Sequence, residues 1–390
     1  MSITQRPLTV DDLDQAWTLE REAFNAVDAN RESWERWERA LGLDRMEGVF
    51  ADGRLVAMAG SLPLAQWFGG RSIPMGGVRA VAVRPESRGC GHATRAVRAM
   101  LEAMRARGEA LSALYPATMR PYRRLGWEIA GTLFYRDVPP RALPPSPRDA
   151  SVRRATPADR AVLRACYDRV ARETDGFVDR PDARWDWWLD RNASEHCYVA
   201  DDEGYVIYRH LPIENVPDAF RLLVLDLVAT TPRAFRALWG LLADARSVVP
   251  SVVFRSGPNE PLAALLDGPD LVVRRERQWM LRLVDAAAAV AARGYRTDAP
   301  GTVALDVDDP VCPWNAGRST LHVADGMARL ERGGDGAVRL GIGAFAALFS
   351  GWVTTAMLAR TGLLEGGRDD DRRALDRAFA GPLPWMLDEF

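Results

Sequence analysis

Two short segments carry residue types whose spacing could do chemistry. The first reads Val81-Ala82-Val83-Arg84-Pro85-Glu86-Ser87-Arg88-Gly89-Cys90-Gly91-His92-Ala93-Thr94. It joins an apolar strand to an amphipathic helix through Arg88-x-x-Gly91-x-Ala93. A helix start exposes backbone N–H groups without intrahelical partners, at the positive end of the helix dipole. Glycine lets an anion approach that backbone closely, and small residues ahead of Thr94 keep the cradle open. Arg84 and Arg88 add charge, so the turn suits a pyrophosphate. On spacing alone it also suits an ordinary strand-to-helix connection whose glycines serve geometry. It differs from a GxGxxG after a first strand, and no GKS or GKT occurs, which disfavours a Rossmann site and a P-loop. The second segment is Ala117-Thr118-Met119-Arg120-Pro121-Tyr122-Arg123-Arg124-Leu125-Gly126-Trp127. Tyr122 opens a short helical turn just past a strand end, where ligands of open sheets gather. A phenol there can protonate a leaving thiolate; it could also simply pack on the turn.

The elements that must position these residues follow from periodicity. Asp11-Asp12 can cap a helix running to about Phe24. Val49–Ala51 and Leu55–Ala59 flank Asp52-Gly53, a hairpin signal, and a second hairpin turns at Gly69-Gly70. Val78–Val83 reads as a strand. The helix from about His92 to Arg107 places Ala93, Val97, Met100, Leu101 and Met104 on one face. Gly108 ends it, and Ala110–Tyr115 is the next strand. Strand, helix, strand is the order of a parallel crossover unit.

The segment Val138–Arg148 holds five prolines and reads as a linker. Beyond it the order repeats loosely, with a helix over Pro157–Arg172 and strands Tyr198–Ala200 and Tyr205–Tyr208 about a turn at Gly204. An apolar strand Leu222–Val228, a helix Pro232–Asp244, and strands Val252–Phe254 and Gln278–Leu283 complete it. At the place of the phosphate turn this copy reads Val228-Ala-Thr-Thr-Pro-Arg-Ala-Phe235. It has no glycine, and Pro232 lacks an N–H, so it should not hold phosphates. A third stretch has strands at Val303–Val307, Thr320–Val323, Met327–Glu331 and Val338–Ile342. Helices then start at Ala344, Thr354 and Arg372, an α+β order.

The formal net charge of −2 argues against a nucleic-acid binder. No apolar run reaches the ~18–20 residues of a membrane span, and the polar start lacks a signal-peptide core, so a cytoplasmic protein is expected. The 4 cysteines form no CxxC pair and the 4 histidines no HExxH, so no metal site is expected.

Together, Val81–Val83, Arg88-x-x-Gly91-x-Ala93 and Tyr122-x-Arg124-x-Gly126-Trp127 resemble the GCN5-related N-acetyltransferases. The resemblance is closest to the Eis (enhanced intracellular survival) family and covers the whole chain, including an end in an acidic residue and phenylalanine, Glu389-Phe390. It implies an α+β chain of two tandem acetyltransferase folds, the second degenerate, and a sterol-carrier-like domain. The divisions expected are residues 1–143, 149–285 and 286–390. It implies acetyl-CoA as co-substrate, with Val81, Ala82 and Val83 pairing with the pantetheine arm. Gly89, Cys90, Gly91, His92, Ala93 and Thr94 would hold the pyrophosphate. Ala117 and Thr118 would lie along the acyl end, where the family often has serine and glutamate, so that acidic contact is absent. Tyr122 would be the general acid and the Phe390 carboxylate the general base. The family forms hexamers, a trimer of dimers, and acetylates amines, including aminoglycosides and some protein lysines.

A free α-carboxylate, at a reference pKa of ~3.5, is a weak base. Burial beside Asp388 and Glu389 would make it more basic through desolvation and like-charge repulsion; otherwise it would position the ammonium. Trp34 and Trp37 follow the first helix and could line an acceptor pocket, with Asp28, Glu32 and Glu35 either charging it or forming a solvated face. Trp185, Trp187 and Trp188 read as core. His92 is expected to face solvent, and Cys90 to be a small residue that fits. The function expected is acetyl transfer to a polyamine-type acceptor such as an aminoglycoside. Protein-lysine acetylation, or a non-enzymatic lipid- or partner-binding role, is the alternative.

Overall fold

One pattern occurs twice at the same spacing, Arg6-x-x-Thr9-x-x-Asp12 and Arg153-x-x-Thr156-x-x-Asp159. The structure, a computed structural model, describes residues 2–24, 30–191 and 195–390. In it both copies build the same corner. The arginine donates to both carboxylate oxygens, at 2.6 and 2.9 Å in the first copy and 2.9 and 2.7 Å in the second. Threonine and aspartate close a capping box on the helical turn that follows. The first helix is therefore capped by Thr9 with Asp12, not by the Asp11-Asp12 pair expected from sequence.

The first copy contains β1 (Ile3–Pro7), α1 (Leu13–Phe24), α2 (Arg31–Leu41), β2 (Met46–Ala51), β3 (Arg54–Phe68) and β4 (Arg71–Val83). It continues with α3 (His92–Ala106), β5 (Leu111–Leu114), α4 (Met119–Arg124) and β6 (Glu128–Val138). The second contains β7 (Val152–Arg154), α5 (Arg160–Arg172), β8 (Val178–Asp179), α6 (Asp182–Arg191), β9 (His196–Ala200) and β10 (Gly204–Pro212). Then come β11 (Phe220–Ala229), α7 (Pro232–Ala243), β12 (Val252–Ser256) and β13 (Val272–Leu283). Asp52-Gly53 and Gly69-Gly70 take positive φ and close the two expected hairpins. At the third hairpin the left-handed residues are Asp201 and Asp202, at φ 51° and 54°, and Gly204 already belongs to β10. Aspartate tolerates that region, so the glycine misplaced the turn.

Among the described residues the two copies share one sheet, in the order β1-β2-β3-β4-β5-β13-β6-β12-β11-β10-β9-β7. β13 enters the first copy between β5 and β6, and β6 reaches across to β12. Each copy thus lends its last strand to the other. The proline-rich segment after β6 is no loose spacer. Pro140 and Leu143 are buried, and the Ser146 backbone packs on Gly240 of α7.

The third part contains α8 (Ala286–Ala292), β14 (Gly301–Asp308), β15 (Gly317–Ala324), β16 (Met327–Arg332), β17 (Val338–Gly341), α9 (Ile342–Phe349), α10 (Thr355–Arg360), β18 (Leu364–Gly366) and α11 (Asp369–Ala378). Its own sheet runs β16-β15-β14-β17-β18. The apolar helix α9 packs on β6 and β13, so this core is continuous with that of the first copy. Arg282 of β13 and Asp309 form an ion pair at 2.8 Å, both fully buried.

After α11 the chain runs without helix or strand to Phe390 and crosses the seam between the two copies. Small residues clear its path: a Cβ at Gly257 would meet the Trp385 ring at 2.5 Å, and one at Gly77 would meet the Phe390 ring at 2.7 Å. The Tyr115 hydroxyl donates to the Met386 carbonyl at 2.6 Å. Asp388 is fully buried between Arg180, at 3.0 Å, and Arg184, at 3.4 Å, and Arg180 also pairs with buried Asp226 at 2.8 Å. Burial pushes the Asp388 carboxyl up, but the charges of the two arginines and the Arg180 hydrogen bond outweigh it and hold it below the usual range.

Removing one partner leaves an uncompensated buried charge. Arg180→Ala is therefore expected to destabilise the protein by about 3–5 kcal/mol, read from urea unfolding. The sign with pH follows from the depressed Asp388 value. The stability it contributes is complete above the unfolded-state pKa of ~3.9 and is lost as pH falls through the lower folded-state value. Asp388→Asn should flatten that part of the acid limb.

Candidate active site

β4 and β5 run parallel and pair over only three positions, Met75, Gly76 and Gly77 opposite Leu111, Ser112 and Ala113. β4 then continues to Val83 on β3 alone, while β5 ends at Leu114. The β3–β4 register slips between Met58 and Gly60, and opposite that slip Ala80 is left-handed at φ 50°. An alanine held there costs about 1–3 kcal/mol, the kind of strain that collects at working sites. Past Gly77 the β5-facing edge of β4, including Val81, Ala82 and Val83, has no strand partner among the described residues. Its free amides and carbonyls can pair with an extended ligand.

This opening leads to the start of α3. Gly89 and Gly91 are left-handed, at φ 81° and 79°, and a Cβ on either would meet nothing within 4 Å. Backbone conformation, with open space above it, is what requires glycine. Gly91 is the N-cap, no side chain caps the helix, and no acid lies in its first turn. The first helical bond runs from the Arg95 amide to the Gly91 carbonyl at 3.1 Å, so the amides of His92, Ala93 and Thr94 precede it. Cys90 and Thr94 are exposed. His92 is only 7% exposed, against the solvent-facing position expected; it opens α3 directly after the left-handed Gly91, and its side chain is covered. Arg84 is also buried. Its Nε donates to the Leu55 carbonyl at 2.7 Å and it lies 3.6 Å from Glu22, so it braces β4 instead of meeting phosphate. Arg88 is exposed and has no ion pair among the described residues. The corresponding helix of the second copy is closed. Thr231 accepts the Ala234 amide at 3.2 Å, and Pro232 offers no donor.

Two groups approach the opening from opposite faces of the sheet. Tyr122 lies on α4 and packs against the cluster that holds Leu114, Leu125 and Trp127, as Val81 and Val83 also do, on the Leu114 side of β5. Its ring meets Trp127 edge-on at 6.0 Å. Burial pushes its phenol above 10. Ala117 is exposed, as is Thr118, the N-cap of α4. The Phe390 ring lies against Gly77 and joins the cluster of Leu64, Ala113 and Met386, on the other side. Both neighbouring tail acids are paired with arginines. Asp388 is held by Arg180 and Arg184, and Glu389 by Arg277 and by the Tyr135 hydroxyl at 2.7 Å.

Above the Phe390 face lies α2, with Trp37 packed on the same cluster. Trp34 is tucked in, its indole N–H donating to Glu20 at 3.1 Å and its ring 5.2 Å from Trp17. Glu32 is exposed and Glu35 pairs with Arg39 at 2.7 Å, so both are surface acids. The acids that sequence missed are Glu38, 1% exposed and paired with Arg79, and Glu20, whose carboxyl burial pushes up. Asp28 and the Trp187 side chain lie outside the described residues; Trp185 and Trp188 are core. Among the described residues no cluster of three His, Cys, Asp or Glu side chains could hold a metal, and no helix is long and apolar enough to cross a membrane.

Three stretches of the chain match known domain families. Residues 4–130 and residues 176–283 each match a model of an acetyltransferase (GNAT) domain, and residues 286–387 match a sterol carrier protein domain. The chain is 30% identical to an uncharacterised N-acetyltransferase of Streptomyces coelicolor over 99% of both chains. It is 33% identical to a GCN5-related N-acetyltransferase from Kribbella flavida, covering 100% of this chain and 98% of that one at a TM-score of 0.88. Eis1 from Mycobacterium abscessus is 27% identical over 99% of this chain and 100% of its own, at a TM-score of 0.84.

The uncapped start of α3 yields a test in which two effects part. An acid there favours the helix dipole by about 0.3–1 kcal/mol but repels a bound phosphate. Thr94→Glu should therefore leave thermal stability equal or slightly raised, while lowering coenzyme A affinity by about tenfold or more in calorimetry.

Proposed function

The chain belongs to the GCN5-related N-acetyltransferase family, in its Eis-like branch, and from that premise we propose that it acetylates amines of a polyamine-type acceptor such as an aminoglycoside. GNAT domains use acetyl-CoA. The observation that carries the site assignment is the gap past Gly77 and Ala113, with a phenol on one face of the sheet and a free carboxylate on the other. The second copy lacks the uncapped helix start, so one active site per chain is expected.

The residues present fit the co-substrate: the amides of His92, Ala93 and Thr94 suit its pyrophosphate, the unpaired edge of Val81–Val83 its pantetheine arm, and exposed Ala117 and Thr118 border its acyl end. When bound, it supplies the acetyl group as a thioester. An acceptor amine near pKa ~10 is mostly an ammonium at pH 7. The Phe390 carboxylate attracts that ammonium and takes its proton. Because Asp388 and Glu389 are already neutralised by arginines, electrostatic positioning is the larger part of its role. Free N–H groups of β4 beyond Gly77 are the available donors to the developing oxyanion. Tyr122, kept protonated by burial, delivers its proton to the leaving sulfur.

Tyr122→Phe should lower kcat by about 10²–10⁴-fold with coenzyme A affinity unchanged. Because burial raises the phenol above 10, the alkaline fall of kcat assigned to Tyr122 should lie above pH ~10 and not near neutrality. Extending the chain by a few residues beyond Phe390 should abolish turnover and spare coenzyme A binding; unchanged turnover would remove Phe390 from the mechanism. A free-thiol release assay across aminoglycosides, polyamines and lysine peptides separates the acceptor classes, and preference for the peptides would favour protein-lysine acetylation.

A further inference from the structure

Arg79 stands two residues past Gly77, on the stretch of β4 that β5 has left, and the left-handed Ala80 follows it. Alternate residues of a strand share a face. Arg79 therefore lies on the face where the Phe390 ring meets Gly77. Its side chain is 11% exposed and forks onto Glu38 of α2, with Nη1 donating to Oε1 at 2.7 Å and Nη2 to Oε2. The start of α2 is tied elsewhere, by Trp34 to Glu20 of α1 at 3.1 Å. Between these two ties comes Trp37, packed on the same cluster as the Phe390 ring.

The second copy has a buried pair at the same place. β11 parts from β12 after Val224, and two residues on Asp226 pairs with Arg180 at 2.8 Å. Arg180 lies two residues ahead of α6, the helix before β9, as α2 is the helix before β2. The charges are reversed, but the link is the same: the strand past its parting is tied to the second long helix of its copy. In the second copy the link extends to a third member. Arg180 reaches Asp388 at 3.0 Å, Arg184 of α6 reaches it at 3.4 Å, and Arg255 of β12 donates to the neighbouring Leu387 carbonyl at 3.2 Å. Strand, helix and the chain segment beside the parting are thus fixed to one another. A buried ion pair contributes little net stability over apolar side chains of the same volume. A two-pronged arginine fixes orientation as well as distance.

We propose that Arg79 is a positioning residue for the acceptor: through Glu38 it sets α2, and with it Trp37, over the terminal carboxylate. In this role Arg79 touches neither acetyl-CoA nor the reacting atoms. Its effect on turnover rests on the acetyl-transfer reading; the placement of α2 does not.

The test uses Arg79→Lys, which keeps the charge and loses the fork. With kanamycin as acceptor in the free-thiol assay, KM for kanamycin should rise about tenfold while kcat changes by less than about threefold, the pattern of binding lost equally from ground and transition states. Coenzyme A affinity in calorimetry should stay the same. In a Trp37→Ala background the substitution should raise KM no further, because residues that act through one contact are not additive. Should the lysine variant not fold, Arg79→Met combined with Glu38→Met replaces the pair by apolar side chains, which a fold tolerates, and KM should rise all the same. A native KM in the folded variant, or an equal rise with and without Trp37, would overturn the role. Amide exchange needs no acceptor: in Arg79→Lys, α2 should exchange about tenfold faster and α3 at its native rate. If the unaltered protein does not acetylate kanamycin, the acceptor reading above falls, and α2 exchange then decides alone, an unchanged rate overturning the positioning role.

Discussion

A carboxylate with no access to water must be given cations, and Asp388 is given two. The rest of the C-terminal segment is laid down from that point. Removing Asp388 and Arg180 from water costs several kcal/mol each, which their attraction largely returns without surplus. Such a pair is a poor source of net stability and a good source of register. An extended chain advances ~3.3 Å per residue, so a slip of one residue would shift the terminal carboxylate by that much and take the Asp388 carboxylate from Arg180 and Arg184, leaving Asp226 to face Arg180 alone. The other tail contacts agree with a fixed register. Tyr115 holds the Met386 carbonyl, Tyr135 and Arg277 hold Glu389, and Gly77 leaves room for the Phe390 ring and for nothing longer at its own Cβ.

The two acetyltransferase-like copies show how little separates an open strand–helix junction from a closed one. Both have parallel strands that part after three paired positions, followed by an amphipathic helix. In the first the helix starts on a left-handed glycine with bare amides. In the second a threonine caps it and a proline removes a donor. The cap stabilises α7 by about 1 kcal/mol as it closes the anion site. What the second copy contributes instead is Arg180 and Arg184, which grip the tail, and β13, which completes the sheet beside β5.

Much of this was legible locally. Asp52-Gly53, Gly69-Gly70, the spacing of α3 and the Gly91 turn are signals within a few residues, and the structure keeps them. What escaped depends on partners far along the chain. Sequence periodicity shows β13 only over Gln278–Leu283, because Val272–Glu276 is exposed and acquires strand structure from pairing with β6. Glu38 sits in the charged helix Arg31–Leu41 and looks solvated until Arg79, forty-one residues on, covers it. The Arg6-Thr9-Asp12 corner recurs at identical spacing in Arg153-Thr156-Asp159, a polar repeat that hydrophobic periodicity does not register.

The tail ends in three carboxylates, and the structure divides their work. Asp388 is spent on Arg180 and Arg184, and Glu389 on Arg277 and Tyr135. The terminal group of Phe390 has no ion pair among the described residues, and its position is set by a ring packed on Gly77, the last residue of β4 paired with β5. A side-chain carboxylate would reach the gap on rotatable bonds whose freedom must be frozen at each encounter. A main-chain carboxylate one bond from an anchored Cα has little such freedom to lose. Its two acidic neighbours, once paired, supply the anchoring without adding their own charge to the site. On the function proposed above, the electrostatic task of meeting an ammonium falls to the one group of the three that has no ion pair among the described residues.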